Sequence, residues 1–320
     1  MTHDLISVRV KSISFEADQI NSYVLIEIGG HDLPTFTAGS HVDLHLANGM
    51  IRSYSLLNHA SEADRYVIGV KRNVQGRGGS RFLHDVVKAG DVISISHPKN
   101  HFEFAESAAH SLFIAGGIGI TPILAMIRRA VALGRPWTLH YASRTRRDAA
   151  FVDQLVALDS RQSRNVYFTF DQEPGGKLLD IAPIVANAET DTHLYCCGPL
   201  PMLEAFEAAS KSRPRDRVHV EYFSAKEAPA SDGGFDVCLN RSGRTIPVLS
   251  GKTILDALLD AGVNVPYACS EGVCGTCETK VVEGIPDHRD IFLSDEEKAE
   301  NKKIMICCSG SKSRMLVLDL

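Results

Sequence analysis

The sequence predicts a multidomain chain: an antiparallel β-barrel, an α/β domain with a parallel sheet, and a small α+β module. Three observations carry this. Apolar residues alternate with a period of two up to about residue 105. Strand-like and helix-like stretches then alternate to about residue 226. Beyond a stretch of small residues come two strand patterns, one helix and further strands. The expected boundaries are 1–105 for the barrel, 106–226 for the α/β domain, a linker over 227–234 and the last module over 235–320. A chain of 320 residues is too long for one core, and 44% hydrophobic with 23% charged residues is an ordinary globular composition.

In the first segment "HVDLHLANGMIRSYSL" places Val42, Leu44 and Leu46 on one strand face and His41, Asp43 and His45 on the other. An exposed polar face is expected for the two histidines in preference to a metal site. "DRYVIGVKR" and "GDVISISHP" repeat the alternation, with Gly, Asn and Pro between. "RSYS", Arg52 to Ser55, offers a phosphate partner, a flat ring and short hydroxyl donors on one extended run. In "GRGGSRFLHDVV" a glycine loop leads through Gly78, Gly79 and Ser80 into a helix whose free amides suit a phosphate; a flexible loop with an ordinary helix start is the alternative.

The second segment reads as five strands, "SLFIAGG", "WTLHYAS", "NVYFTF", "HLYCCG" and "RVHVEYF". Helical stretches between them imply a covered parallel sheet. The first helix is expected to take Thr121 as its cap and Pro122 as its first residue, and to stop at Gly134. "IAGGIGITPI" departs from the G-x-G-x-x-G pattern, but Gly116, Gly117 and Gly119 leave room for a nucleotide backbone, and the helix start behind Thr121 favours a pyrophosphate. "YCCGPLPM" puts Cys197, Gly198 and Pro199 at another strand end, so the two turns can face one ligand. "YASRTRR" supplies Ser143 and Arg144 at a third strand end, and Asp171 in "FTFDQE" is either a nucleotide contact or solvated acid.

The last module holds the densest signal. Six of the eight cysteines fall between Cys238 and Cys308, and three of them, Cys269, Cys274 and Cys277, crowd into "CSEGVCGTC". The spacing C-x4-C-x2-C with a fourth cysteine after 29 intervening residues, at Cys307, is that of a plant-type 2Fe–2S site. Zinc sites with four cysteines more often use two C-x2-C pairs. Cys308 is an alternative fourth ligand, since neighbours on a strand cannot both point inward. Gly272 and Gly275 let the loop fold tightly and aim amides at sulfur. Cys238 lies in a strand pattern and reads as a core thiol. Thr253 with Asp256 marks a capping box, and Gly262 stops the helix "TILDALLDA".

Taken in this order, "RSYS", "GGIGITP", "CGP" and the thiol loop make the whole chain resemble the phthalate dioxygenase reductase and vanillate O-demethylase reductase family. The first two domains also resemble ferredoxin–NADP reductases. The resemblance implies a flavin-binding barrel, a ferredoxin–NADP reductase-like nucleotide domain and a β-grasp ferredoxin module. It implies FMN, because the ferredoxin comes last, and NADH as the usual nucleotide. NADPH stays the alternative, because Ser143 and Arg144 are similar to the 2′-phosphate site of NADP-dependent relatives. It places Arg52, Ser53, Tyr54, Ser55, Val70, Lys71, Gly78, Gly79 and Ser80 around the flavin, with Ser55 beside its reactive nitrogen. It places Cys197 near the nicotinamide and Phe223 on the flavin ring, and it selects Cys307 as the fourth iron ligand.

The expected activity is electron transfer from NADH through FMN to the 2Fe–2S cluster, and on to a Rieske-type terminal oxygenase acting on an aromatic compound. A haem monooxygenase or carnitine-type oxygenase is the alternative partner, and an iron–sulfur redox sensor the alternative of another class. A formal charge of −5 with no basic run argues against nucleic acid. No apolar run approaches the ~18 residues of a membrane span, and the Met1–His3 end lacks a signal pattern. Reduced cysteines and a monomer in the cytoplasm are expected. The acidic "DEEKAE", Asp295 to Glu300, is a docking candidate or plain solvated surface.

Overall fold

The structure, a computed structural model, describes residues 5–159 and 164–320. The Met1–His3 end lies outside them. The chain divides into two compact units, the first ending at Phe223 and the second running Ser224–Leu320.

The first unit opens with β1 (Ile6–Ala17), β2 (Ile20–Glu27), β3 (Ser40–His45), β4 (Ile51–Ser55), β5 (Tyr66–Lys71), the short helix α1 (Gly79–Asp85), β6 (Val92–Ile95) and β7 (Lys99–Asn100). The antiparallel order β4-β3-β6-β1-β2-β5 closes on itself through a bridge between Leu56 and Ile68, which makes a barrel. Alternate residues such as Val8, Val10, Val42, Leu44, Ile68 and Val70 fill it.

There follow β8 (Ser111–Gly116), α2 (Ile120–Ala132), β9 (Trp137–Ser143), α3 (Val152–Leu158), β10 (Val166–Phe170), α4 (Ile181–Asn187), β11 (His193–Cys197), α5 (Leu200–Ser210) and β12 (Val218–Glu221). The strands form one parallel sheet, β10-β9-β8-β11-β12. The chain reverses direction across the sheet at β8, so the crevice outside the ends of β8 and β11 is the switch point where such sheets bind ligands. One buried cluster joins Ile20, Leu57 and Phe102 of the barrel to Phe113, Ile120 and Ile127.

The first helix differs from expectation. A 3-10 turn over Gly117–Gly119 brings its start forward, Gly119 takes the cap position, and Thr121 sits inside the helix with its hydroxyl donating to Ile118 O at 3.0 Å. The polar face of β3 also differs. His41 and Asp43 are 7% and 2% exposed, because β7 pairs across His41 and the His101 ring lies 5.7 Å away. Burial pushes the His41 imidazole down to about 4.

The second unit contains β13 (Phe235–Leu239), β14 (Thr245–Val248), α6 (Ile254–Asp260), β15 (Glu278–Glu283), β16 (Pro286–Asp287), α7 (Asp295–Glu300), β17 (Lys303–Met305), β18 (Gly310–Ser311) and β19 (Met315–Leu318). Its sheet order is β14-β13-β19-β15-β17, with β13 and β19 parallel, and β16 and β18 pair apart. Residues 227–234 are tied to this unit: Ala230 N donates to Cys308 O at 2.7 Å and Gly251 N to Ser231 O at 2.7 Å. Cys238 is half-buried and faces away from the core, since Val237 and Leu239 on either side point inward.

Candidate functional site

Strand β4 sorts the "RSYS" side chains by alternation. Its register pairs Arg52 with Leu44 and Tyr54 with Val42, and pairs Ser53 with Asp43 and Ser55 with His41. Arg52 and Tyr54 therefore share one face and the two serines the other. Arg52 lies across the start of α1: a Cβ on Gly79 would come within 2.5 Å of Arg52 Cγ, so any side chain there would push Arg52 aside. Its guanidinium donates to Ile51 O at 2.7 Å and to Arg77 O at 3.4 Å. Gly78 turns the chain into α1 with φ of 94°, and Ser80 Oγ accepts from Asn73 N at 3.0 Å. Ser53 is committed elsewhere, donating to Asp43 Oδ1 at 2.5 Å while Lys99 Nζ sits 2.7 Å from Oδ2. Burial alone would raise the Asp43 pKa, but Lys99 and Ser53 hold it below the usual carboxylate value.

Val70 is buried in the barrel, and Lys71 ends β5 against the nucleotide turn, its Nζ 3.9 Å from where a Cβ of Gly117 would lie. Burial, then Arg144, lowers the Lys71 pKa. On the sheet, Ala115 pairs with Cys197, which brings the "GGIG" and "CGP" turns together. A Cβ on Gly116 would meet Pro199 Cδ at 2.5 Å, and one on Gly119 would meet Gly198 N at 2.8 Å. The two turns thus pack backbone on backbone at the strand ends.

The loop after β9 folds on itself. Arg144 Nη2 lies 2.5 Å from Asp148 Oδ1, Thr145 donates to Oδ2, and Ser143 Oγ donates to Thr145 O. Asp171, at the end of β10, keeps a buried Oδ1 with no partner.

Cys197 is fully buried, and burial pushes its thiol well up. The register places Glu221 beside it. Sequence reading missed this residue: Glu221 Oε2 is buried without a partner, and burial raises the carboxyl to about 8. The available signal was its position at a strand end level with Cys197. Phe223 closes the first unit with 39% of its surface exposed.

In the second unit Cys269, Cys274, Cys277 and Cys307 are all buried and unpaired as disulfides. The Cys269 sulfur is within hydrogen-bonding reach of those of Cys274 and Cys307. Glu271 N donates to Cys269 Sγ at 3.3 Å and Cys274 Sγ lies 3.4 Å from Thr276 Oγ1. Gly272 and Gly275 adopt φ of 70° and 72°. Cys308 is buried as well, its sulfur against Gly272 of the same loop and within hydrogen-bonding reach of Cys307. Proximity to Cys269, then burial, raises the Cys274 thiol, and the contact with Cys307, then burial, raises that of Cys308. Among the described residues no three His, Cys, Asp or Glu side chains converge on a single ion. Four buried thiols spread around one loop fit a two-iron cluster, whose ferric charge offsets the repulsion that four crowded thiolates would suffer.

Comparison with known proteins agrees with this geometry. Residues 10–104 match the oxidoreductase FAD-binding domain, 113–208 the oxidoreductase NAD-binding domain and 237–311 the 2Fe–2S iron–sulfur cluster binding domain. The chain is 53% identical to phenoxybenzoate dioxygenase subunit beta of Ectopseudomonas oleovorans over 98% of this chain and 97% of that one. It is 48% identical to tetrachlorobenzoquinone reductase of Sphingobium chlorophenolicum, covering 98% of both. It superposes on the structure of phthalate dioxygenase reductase, described as a modular structure for electron transfer from pyridine nucleotides to [2Fe–2S], with a TM-score of 0.79 and 37% identity over 99% of this chain and 98% of that one. Three domains in the same order along nearly the whole length leave one conclusion: this chain belongs to the phthalate dioxygenase reductase family of oxidoreductases, with flavin-binding, NAD-binding and 2Fe–2S domains.

Proposed function

We propose that this chain takes electrons from NADH and delivers them singly, through FMN and the cluster held by Cys269, Cys274, Cys277 and Cys307, to a Rieske-type terminal oxygenase that acts on an aromatic compound. Bound FMN converts a two-electron hydride into one-electron steps that a 2Fe–2S cluster can accept. The chain's own residues position these groups. Arg52, Gly79 and Ser80 present a cation, a glycine approach and a hydroxyl where the flavin phosphate would lie. Tyr54 offers a ring beside it and Ser55 a hydroxyl from the opposite face of the strand. The paired turns around Gly116, Gly119, Gly198 and Pro199 give a nucleotide backbone a close approach, and Lys71 stands between barrel and turn as a shared cation. The adjacency of Lys71 and Gly117 is the observation that carries the reading, because it brings the flavin and nucleotide motifs to one place.

Two features favour NADH. Asp148 engages Arg144, and the buried oxygen of Asp171 would repel a 2′-phosphate. Eight cysteines outside any disulfide fit a reducing cytoplasmic setting. No described helix is long and apolar enough to cross a membrane. A relative named as a phenoxybenzoate dioxygenase subunit supports the aromatic-oxygenase partner. The quinone reductase relative supports a second reading, in which the flavin reduces a small quinone directly.

Cytochrome c and ferricyanide assays separate these readings. Cys274→Ala should abolish NADH-driven cytochrome c reduction and spare ferricyanide reduction, and quinone reduction should survive only if it occurs at the flavin. Unchanged cytochrome c reduction would place the cluster off the path. A protein that consumes no NADH with any acceptor would be a sensor.

A further inference from the structure

The segment after β16 carries a group that the electron path above does not use. His288 is the sole histidine in residues 224–320, and so the one side chain there whose ordinary pKa falls near neutrality. Its side chain is 10% exposed, and its Nδ1 lies 3.6 Å from Oδ1 of the fully buried Asp290. Both ring nitrogens are buried without a hydrogen-bond partner.

Asp290 is held firmly. Its Oδ2 accepts from Leu293 N at 2.8 Å, its Oδ1 from Ser309 Oγ at 3.4 Å, and its carbonyl from Lys298 Nζ at 2.6 Å. It also touches the thiol loop: a Cβ on Gly272 would come within 3.0 Å of Asp290 Cα, and Ile291 N donates to Gly272 O at 3.2 Å. An imidazole–carboxylate pair therefore stands directly behind the loop that joins Cys269 to Cys274.

An electron arriving at a buried cluster adds negative charge where water screens it poorly, and a nearby basic group gains proton affinity as a result. We propose that His288 takes up one proton from solvent when the cluster takes up one electron. The electron comes from the flavin and turns one ferric ion ferrous. The proton comes from water, gives an imidazolium opposite the Asp290 carboxylate, and leaves when the cluster is reoxidised by the acceptor. The inference rests on the assignment of a 2Fe–2S cluster to these cysteines.

The groups facing the ring set the direction. Burial disfavours its charged form most, Asp290 favours it and Lys298 opposes it, so the ring lies below the ordinary histidine value before the electron arrives. Arg289 is neutralised by Asp287 and Glu227 at 2.9 and 2.8 Å. Reduction raises the ring's affinity. Between its values in the oxidised and reduced states, the cluster's potential must fall as pH rises, and outside that window it must be flat.

The test is a redox titration of the full holoenzyme, read from the cluster's electron paramagnetic resonance signal between about pH 5 and pH 9. The expected result is a window with up to a tenfold shift in the reduction equilibrium per pH unit, about 59 mV for one electron. His288→Gln should keep the signal and lose the slope. A flat wild-type potential, or an unchanged slope in His288→Gln, would overturn the proposal. Should that variant not fold, His288→Asn takes its place, and an unchanged slope there overturns the proposal. A preparation with no iron–sulfur signal would sink the cluster assignment itself, whereas a normal signal with a flat potential sinks only the proton.

Discussion

The nucleotide turn and the thiol loop both depend on glycine, and they use it for opposite ends. At Gly119 the missing side chain lets one backbone lie on another, the turn at Cys197 and Gly198, and neither partner can step aside. At Gly272 and Gly275 the missing side chain lets other residues' side chains, Cys308 and Phe292, lie on the loop, while positive φ bends it around sulfur. The first arrangement makes a rigid edge. The second makes a loop that curves around its own thiols.

This contrast orders the expected effects of substitution. Gly119→Ala should do most damage, since a methyl group would overlap fixed backbone. A loss of about 3 kcal/mol or more is expected, with loss of nucleotide binding, measured by denaturant titration and NAD⁺ calorimetry. Gly275→Ala combines unfavourable φ with a Cβ that would overlap the tip of the Phe292 ring, a side chain that can shift where a backbone cannot. About 1–3 kcal/mol is expected, seen as faster bleaching of the iron–sulfur absorbance on heating. Equal effects at the two positions would erase the contrast.

Smaller effects probe individual residues. The unfolded chain ionises Glu221 above its ordinary 4.5, while the folded chain keeps it protonated up to about 8. Wild-type stability should therefore fall as pH rises through that window, and Glu221→Gln should flatten the dependence; denaturant midpoints at both ends of the window check it. Least affected should be Thr253→Ala. It removes a cap in which Thr253 Oγ1 accepts from Asp256 N at 3.1 Å, worth about 1 kcal/mol, and thermal unfolding measures it.

Legibility in the sequence followed distance along the chain. The grouping of thiols could be read because Cys269, Cys274 and Cys277 lie in one short loop, where spacing alone constrains geometry. The parallel sheet could be read because strand-like runs alternate with helical stretches from about residue 106 to 226. The polar face of β3 could not, since the cover comes from β7 and His101, more than fifty residues away, and alternation says nothing of a second layer. Cys238 misled for a related reason: its neighbours are the inward pair, and one polarizable residue does not fix phase. Thr121 looked like a cap because three glycines hid the turn that starts the helix early. Glu221 drew no notice because nothing in the local sequence says that the strand register puts it beside Cys197.

The most direct test of the electron path is an anaerobic titration of the purified protein with NADH, following flavin absorbance and the cluster's paramagnetic resonance together. The account predicts that the flavin bleaches and the cluster signal grows in the wild type, while Cys274→Ala shows the bleaching alone. A wild-type protein whose flavin bleaches while an intact cluster stays oxidised would contradict it.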